Sequence, residues 1–195
     1  MPVAETLLVA EPAREALRRA CASLDLAELT GSPFAMSQAL VDVARCYREL
    51  RSDASAETHF ESALRWARLS GSADHVADLL CELAEVAVHV ALDQDLQSML
   101  SPECGLDSEA ERGRRAGHAA RERARDHAFE VSQLAARISD PSCEARLLLR
   151  VSDLLERCGD HADAMQMQRR AFNRMGGVAP RDAAQLSGLG RLADL

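Results

Sequence analysis

Residues 145–176 read ARLLLRVSDLLERCGDHADAMQMQRRAFNRMG, and residues 37–68 read SQALVDVARCYRELRSDASAETHFESALRWAR. Laid side by side, the two stretches share one pattern. Leu148, Val151, Ser152 and Leu155 stand where the earlier stretch has Leu40, Val43, Ala44 and Tyr47. Ala164, Gln168 and Ala171 stand where it has Ala56, Phe60 and Ala63, at the same constant offset in residue number. Apolar residues recur three and four positions apart on either side of a short polar break. That spacing predicts two amphipathic helices joined by a turn. Small residues at matched positions let the paired helices approach closely.

Outward from these blocks, turn signals divide the rest of the chain. Pro12 fits the first turn of a helix that runs to about Leu29, before the break Thr30-Gly31-Ser32-Pro33. A second helix spans about Ala35 to Leu50; a third starts at Asp53 or Ser55 and stops at Ser70-Gly71-Ser72. The fourth starts near Ala73 and reaches toward Met99, before a loop marked by Ser101, Pro102 and Gly105. The fifth runs from about Ser108 to Ile138, weakened at Gly113 and Gly117. Asp140-Pro141 opens the sixth, Asp160 caps the seventh, and a last short helix follows Pro180. Short connections predict antiparallel hairpins. The fold class expected is all-α, with about seven or eight helices.

Composition agrees. Ala and Leu dominate, aromatics are 3%, and no stretch alternates β-branched residues as a strand does. Every one of the 23 basic residues is Arg. A net charge of −8 opposes binding to nucleic acid or to an acidic membrane surface, so neither is expected as a partner. The cysteines Cys21, Cys46, Cys81, Cys104, Cys143 and Cys158 form no C-x-x-C pair and fall mostly on apolar stripes. They read as reduced, buried thiols in a cytoplasmic protein. The N-terminus lacks the pattern of a secretion signal, and the longest apolar run, Leu83 to Leu92, is interrupted by Glu85 and His89.

The two-helix block resembles the tetratricopeptide repeat, a unit of roughly 34 residues. Ala44 and Ser152 take the family's small slot on the first helix, and Ala56, Ala63, Ala164 and Ala171 take its Ala slots on the second. Gly159-Asp160 matches the family's turn, whereas Arg51-Ser52-Asp53 departs from it, as does Gln168 where an aromatic is usual. A degenerate middle unit follows from Leu80, Leu83, Ala84 and Ala87, with its second helix at Ala124, Ala128, Val131 and Ala135 after a long insertion. The resemblance implies one domain over 1–195: an N-terminal helix (1–34), repeats at 35–72, 73–140 and 141–177, and a C-terminal capping helix (178–195).

The resemblance also implies a right-handed superhelix whose first helices line a concave groove that binds a peptide or partner protein. Its groove slots fall on Gln38, Val41, Asp42, Arg45, Arg48 and Glu49 in the first block. In the middle block they fall on Asp78, Cys81, Glu82, Glu85 and His89, and in the third on Arg146, Leu149, Arg150, Asp153 and Arg157. Val41, Arg45, Leu149 and Asp153 do not reproduce the Lys and Asn clamp that some members use on a chaperone C-terminus. Unit lengths resemble those of bacterial regulatory members, which implies signalling or regulation. A small acidic chaperone for a secreted client is the alternative, and the Ala-rich end helices admit a homodimer.

No catalytic constellation is visible. The chain lacks a phosphate-cradling Gly loop, a nucleophile elbow and H-E-x-x-H. Glu82, Glu85 and His89 do not form the repeated Glu-x-x-His of a carboxylate-bridged metal site, so neither enzymatic activity nor a cofactor is expected, and a helical-bundle metal enzyme is the weaker alternative. The run Arg112, Arg114, Arg115, Arg121, Arg123 and Arg125 either docks an acidic partner or is neutralised by nearby carboxylates.

Overall fold

The computed structural model describes residues 3–100 and 107–176, with side-chain surroundings described over 11–99 and 111–176. The expected C-terminal capping helix after Pro180 lies outside the described residues. The described chain is all helical. Its seven helices are α1 (Val3–Thr30), α2 (Pro33–Glu49), α3 (Asp53–Ser70), α4 (Ala73–Leu100), α5 (Asp107–Ala135), α6 (Pro141–Arg157) and α7 (His161–Arg174). Sequential neighbours α2–α3, α4–α5 and α6–α7 pack most extensively, as three hairpins, and α1 packs on α2.

The matched blocks share helix boundaries as well as pattern. Pro33 and Pro141 each begin a helix at N1, behind the extended caps Ser32 and Asp140. Ser32 Oγ accepts from the Ala35 amide, and an Asp140 carboxylate oxygen accepts from the Ser142 amide at 3.0 Å. At the turn, the Ser52 amide donates to the Tyr47 carbonyl at 2.9 Å, and the Asp160 amide donates to that of Leu155 at 2.8 Å. Gly159 has φ 89°; its counterpart Arg51 has φ 57°, the same left-handed turn made without glycine. The departure at Arg51-Ser52-Asp53 is therefore one of side chain and not of backbone.

α4 is the centre. From Val76 to Ala91 nearly every apolar side chain is buried, including Leu80, Cys81 and Ala84 at 0% exposure. A helix that is apolar all round must be covered all round, and α3, α5 and α6 do this. Burial pushes the Cys81 thiol up to about 12, so it behaves as a small apolar group. Beyond Ala91, α4 turns amphipathic, and Leu92, Leu96 and Met99 are exposed. The small slots pack tightly: Ala44, Ala56, Ala63 and Ala171 are all 0% exposed, and Ala124 and Ala128 do the same on α5.

Three expectations need correction. α1 begins at Val3 and carries Pro12 in its interior, where a ring removes one N–H bond; nothing in the packing explains the longer helix. α5 ends at Ala135, and the Arg137 and Ile138 amides bond to the Leu134 and Ala135 carbonyls in a tightened last turn that still buries Ile138. α5 also runs unbroken through Gly113 and Gly117. A Cβ on Gly117 would lie 3.4 Å from Asp95 Oδ1 and 3.5 Å from the Ala91 carbonyl, an ordinary contact, so α5 packs against α4 at this position.

Candidate functional site: the wall formed by α2, α4 and α6

Gln38, Val41 and Arg45 from α2, His75, Asp78, Leu79 and Glu82 from α4, and Arg146 and Arg150 from α6 line one cleft of about 280 Å³. These are the first helices of the three hairpins. Each side chain reaches the cleft because its neighbours on the helix face the core. Leu40, Val43 and Ala44 hold α2, and Leu147, Leu148 and Val151 hold α6. Val41 and Leu79 are themselves buried, at 3% and 1% exposure, and form the apolar floor.

The cleft wall carries an ion-pair network centred on Glu82. Its side chain is 9% exposed and receives Arg45 at 3.0 Å and Arg48 at 2.7 Å. Arg48 also lies 3.3 Å from Glu85, and Arg150 donates to Glu85 at 2.7 Å. Arg150 stands 3.6 Å from both Glu82 and Asp78. Burial by itself would raise the Glu82 carboxyl, but the guanidinium groups of Arg45, Arg48 and Arg150 outweigh it and hold that carboxyl below its ordinary value. Burial weakens the charge of Arg150, yet Cys81, Glu85 and Glu82 around it leave its pKa raised.

At the cleft's other end, Ser37 Oγ–H donates to the Ala63 carbonyl at 2.8 Å. That leaves the hydroxyl oxygen to accept from His75 Nε2–H, also at 2.8 Å, so the proton of a neutral His75 sits on Nε2. The ring rests on Phe34, centroid to centroid 5.2 Å. Burial lowers the His75 pKa from 6.5, and burial lowers that of His127 in the same way. In both, the unfolded chain takes up protons at a higher pH than the folded one. The stability each contributes is complete above pH 6.5 and is lost as pH falls through the folded value. Tm is expected to fall between about pH 7 and pH 5, and to fall less in a His75→Gln/His127→Gln variant. Equal pH slopes for the two proteins would reject this account.

The groove residues expected from sequence divide into four groups. Gln38, Val41, Arg45, Asp78, Glu82, Arg146 and Arg150 meet at the cleft, whereas Cys81 is buried in the core. Arg48 and Glu85 stand in the network beside it, and Leu149 is half-buried against the core. Asp42 and Asp153 are exposed and line no part of the cleft, Asp153 lying 3.9 Å from Arg157. His89 stands apart. Its Nδ1 is 2.8 Å from Asp53 Oδ2 and 3.9 Å from Asp93, while Nε2 is 3.3 Å from Arg51. A guanidinium only donates, so Nε2 is the acceptor and Nδ1 carries the proton given to Asp53. Asp53, His89 and Asp93 have the composition of a divalent-metal site. Ligation would require Nδ1 to lose the proton it gives Asp53, and Asp53 Oδ1 is buried with no hydrogen-bond partner among the described residues.

Sequence spacing missed His75 and Leu79 as cleft residues. His75 lies one turn before the first slot matched on α4, where the repeat pattern offered no marker. The arginines on α5 are engaged. Arg114 and Arg115 bond Glu111, Arg121 bonds Asp95, Arg123 lies 3.2 Å from Glu57, and Arg125 grips Asp160 at 2.8 Å.

Among the described residues, no helix is long and apolar enough to cross a membrane. No family model matches the chain, and no curated protein matches it. A solved structure titled "DHF58 filament" is similar over 94% of this chain and 86% of that chain, at 21% identity and a TM-score of 0.41.

Proposed function

We propose that this chain is a protein-interaction module of the tetratricopeptide type, which binds a peptide or partner protein along the wall formed by α2, α4 and α6. One observation carries the reading: the first helices of three successive hairpins share a cleft, with an apolar floor and a polar rim. Helical repeats create such a wall because each hairpin buries its other faces against its neighbours. An apolar floor supplies burial, and placed polar groups supply orientation. The matched caps and turns of α2–α3 and α6–α7 also support the repeat reading.

The test uses an exposed position that can fill the cleft without disturbing the Glu82 network. Gln38→Trp is expected to abolish recovery of the partner that wild type captures from native lysate. Arg65→Glu, on the exposed surface of α3, is expected to recover it as wild type does. Circular dichroism should show both variants folded. Recovery of the same protein by Gln38→Trp at wild-type yield would remove the cleft from the binding surface.

A further inference from the structure

We propose that Asp53 of α3 together with His89 and Asp93 of α4 holds one divalent transition-metal ion of the Zn2+ type. None of the three lines the cleft, so the site stands whatever the cleft binds.

The helices bring the three side chains together. His89 and Asp93 are four positions apart on α4 and share one face. Asp53 is the first residue of α3, placed there by the left-handed turn at Arg51. His89 Nδ1 is 2.8 Å from Asp53 Oδ2 and 3.9 Å from Asp93 Oδ2. The three candidate ligand atoms all lie within 4.8 Å of one another. A tetrahedral ion with bonds of about 2.1 Å needs its ligands about 3.4 Å apart. Side-chain rotation alone covers that difference, and Asp93, at 53% exposed, can turn inward.

Both carboxylates are short of donors. Asp53 Oδ1 is buried and has no hydrogen-bond partner among the described residues. A buried carboxylate oxygen left without a donor is costly, and a bound cation offsets that cost. Asp93 meets only His89 among the described residues, at 3.9 Å, too long for a hydrogen bond. The Arg51 contact at Nε2 requires a neutral imidazole, so the cluster carries two negative charges, which a divalent ion cancels.

The imidazole sets the class of ion. Ca2+ and Mg2+ take oxygen ligands, whereas nitrogen combined with carboxylate suits Zn2+ and its first-row neighbours. On binding, Nδ1 gives its lone pair to the ion and the ring proton passes to Nε2. Arg51 then meets an N–H in place of an acceptor, and its exposed side chain turns to solvent. The loss is one exposed hydrogen bond, small beside three metal–ligand bonds. Water completes the coordination. The ion ties the start of α3 to α4, and so the first hairpin to the second.

The experiment is calorimetric titration of Zn2+ into the untagged, reduced protein, with Co2+ absorption as a second readout. Wild type is expected to bind one Zn2+ per chain. His89→Gln and Asp93→Asn should each weaken binding by about tenfold or more. Asp93 is exposed, so its variant should keep the wild-type circular dichroism spectrum. His161→Gln, on the exposed surface of α7, should bind Zn2+ as wild type does. The Co2+ spectrum should lack a thiolate charge-transfer band. The proposal is overturned if Zn2+ does not bind stoichiometrically, or if it binds His89→Gln or Asp93→Asn as tightly as wild type. A thiolate band, which would place the ion on cysteine, overturns it as well. Displacement of Zn2+ by equimolar Mg2+ would overturn the class of ion.

Discussion

Phe60→Ala is expected to lower the unfolding free energy by about 3–5 kcal/mol, whereas Gln168→Ala, at the matching position of the other block, should change it by less than about 0.5 kcal/mol. Phe60 is 0% exposed and belongs to the main core cluster with Ala56, Ala63 and the α4 face. Truncation there removes a whole ring from a fully buried site, and the alanines a turn away on α3, Ala56 and Ala63, have no rotamers with which to close the cavity. Gln168 is exposed on α7. Urea titration followed by circular dichroism measures both, and the slope against denaturant should be unchanged. A Phe60→Ala loss below about 1 kcal/mol would mean that α3 does not pack on α4 as described.

That contrast shows how far the sequence could be read. The matched offset located the helices and the small slots, and Asp140-Pro141 marked the start of α6, because each depends on local spacing and on side-chain size; α2 starts at Pro33, two residues before the expected Ala35. It could not say which large residue of α7 faces inward. Met167, one place before the expected slot, is buried at 5% and Gln168 is turned out. α7 is terminal among the described helices and packs mainly against α6, so fewer contacts fix its register. The left-handed turn at Arg51 was invisible for another reason: backbone hydrogen bonds impose it on a residue whose own preference opposes it.

The site was legible as positions and not as pairings. The slots named Arg45, Arg48, Glu82, Glu85 and Arg150, but periodicity along one helix contains nothing about the distance between helices. Corresponding slots even carry opposite charges, Asp42 with Arg150 and Arg45 with Asp153. Repetition fixed where each side chain leaves the backbone. The charge sequence was then free to build a network running from α2 through α4 to α6, with Glu82 at its centre and Asp42 and Asp153 left outside. His89 shows the same limit, since its partner Asp53 lies on α3 and not on its own helix.

Arg45→Leu/Arg48→Leu is expected to cost about 3 kcal/mol at neutral pH, and adding Glu82→Leu should restore most of it. The reason is an asymmetry of exposure. Arg45 and Arg48 side chains are 49% and 38% exposed, so each can be solvated when its partner is removed; Glu82, at 9%, cannot. The double variant strands that carboxylate, leaving it only Arg150 at 3.6 Å, which is already committed to Glu85. The pH response reverses as well. In wild type the folded Glu82 pKa lies below 4.5, so its stabilisation is present above that value and lost as pH falls. Stripped of its partners, Glu82 is governed by burial, which lifts its folded pKa above the unfolded one. The double variant should then lose stability as pH rises through the range where the unfolded carboxyl ionises. Relative to wild type its deficit should shrink on acidification toward about pH 4. Urea midpoints across that range measure the reversal. A constant deficit at every pH, or no recovery in the triple variant, would show that Glu82 carries no buried charge in the fold.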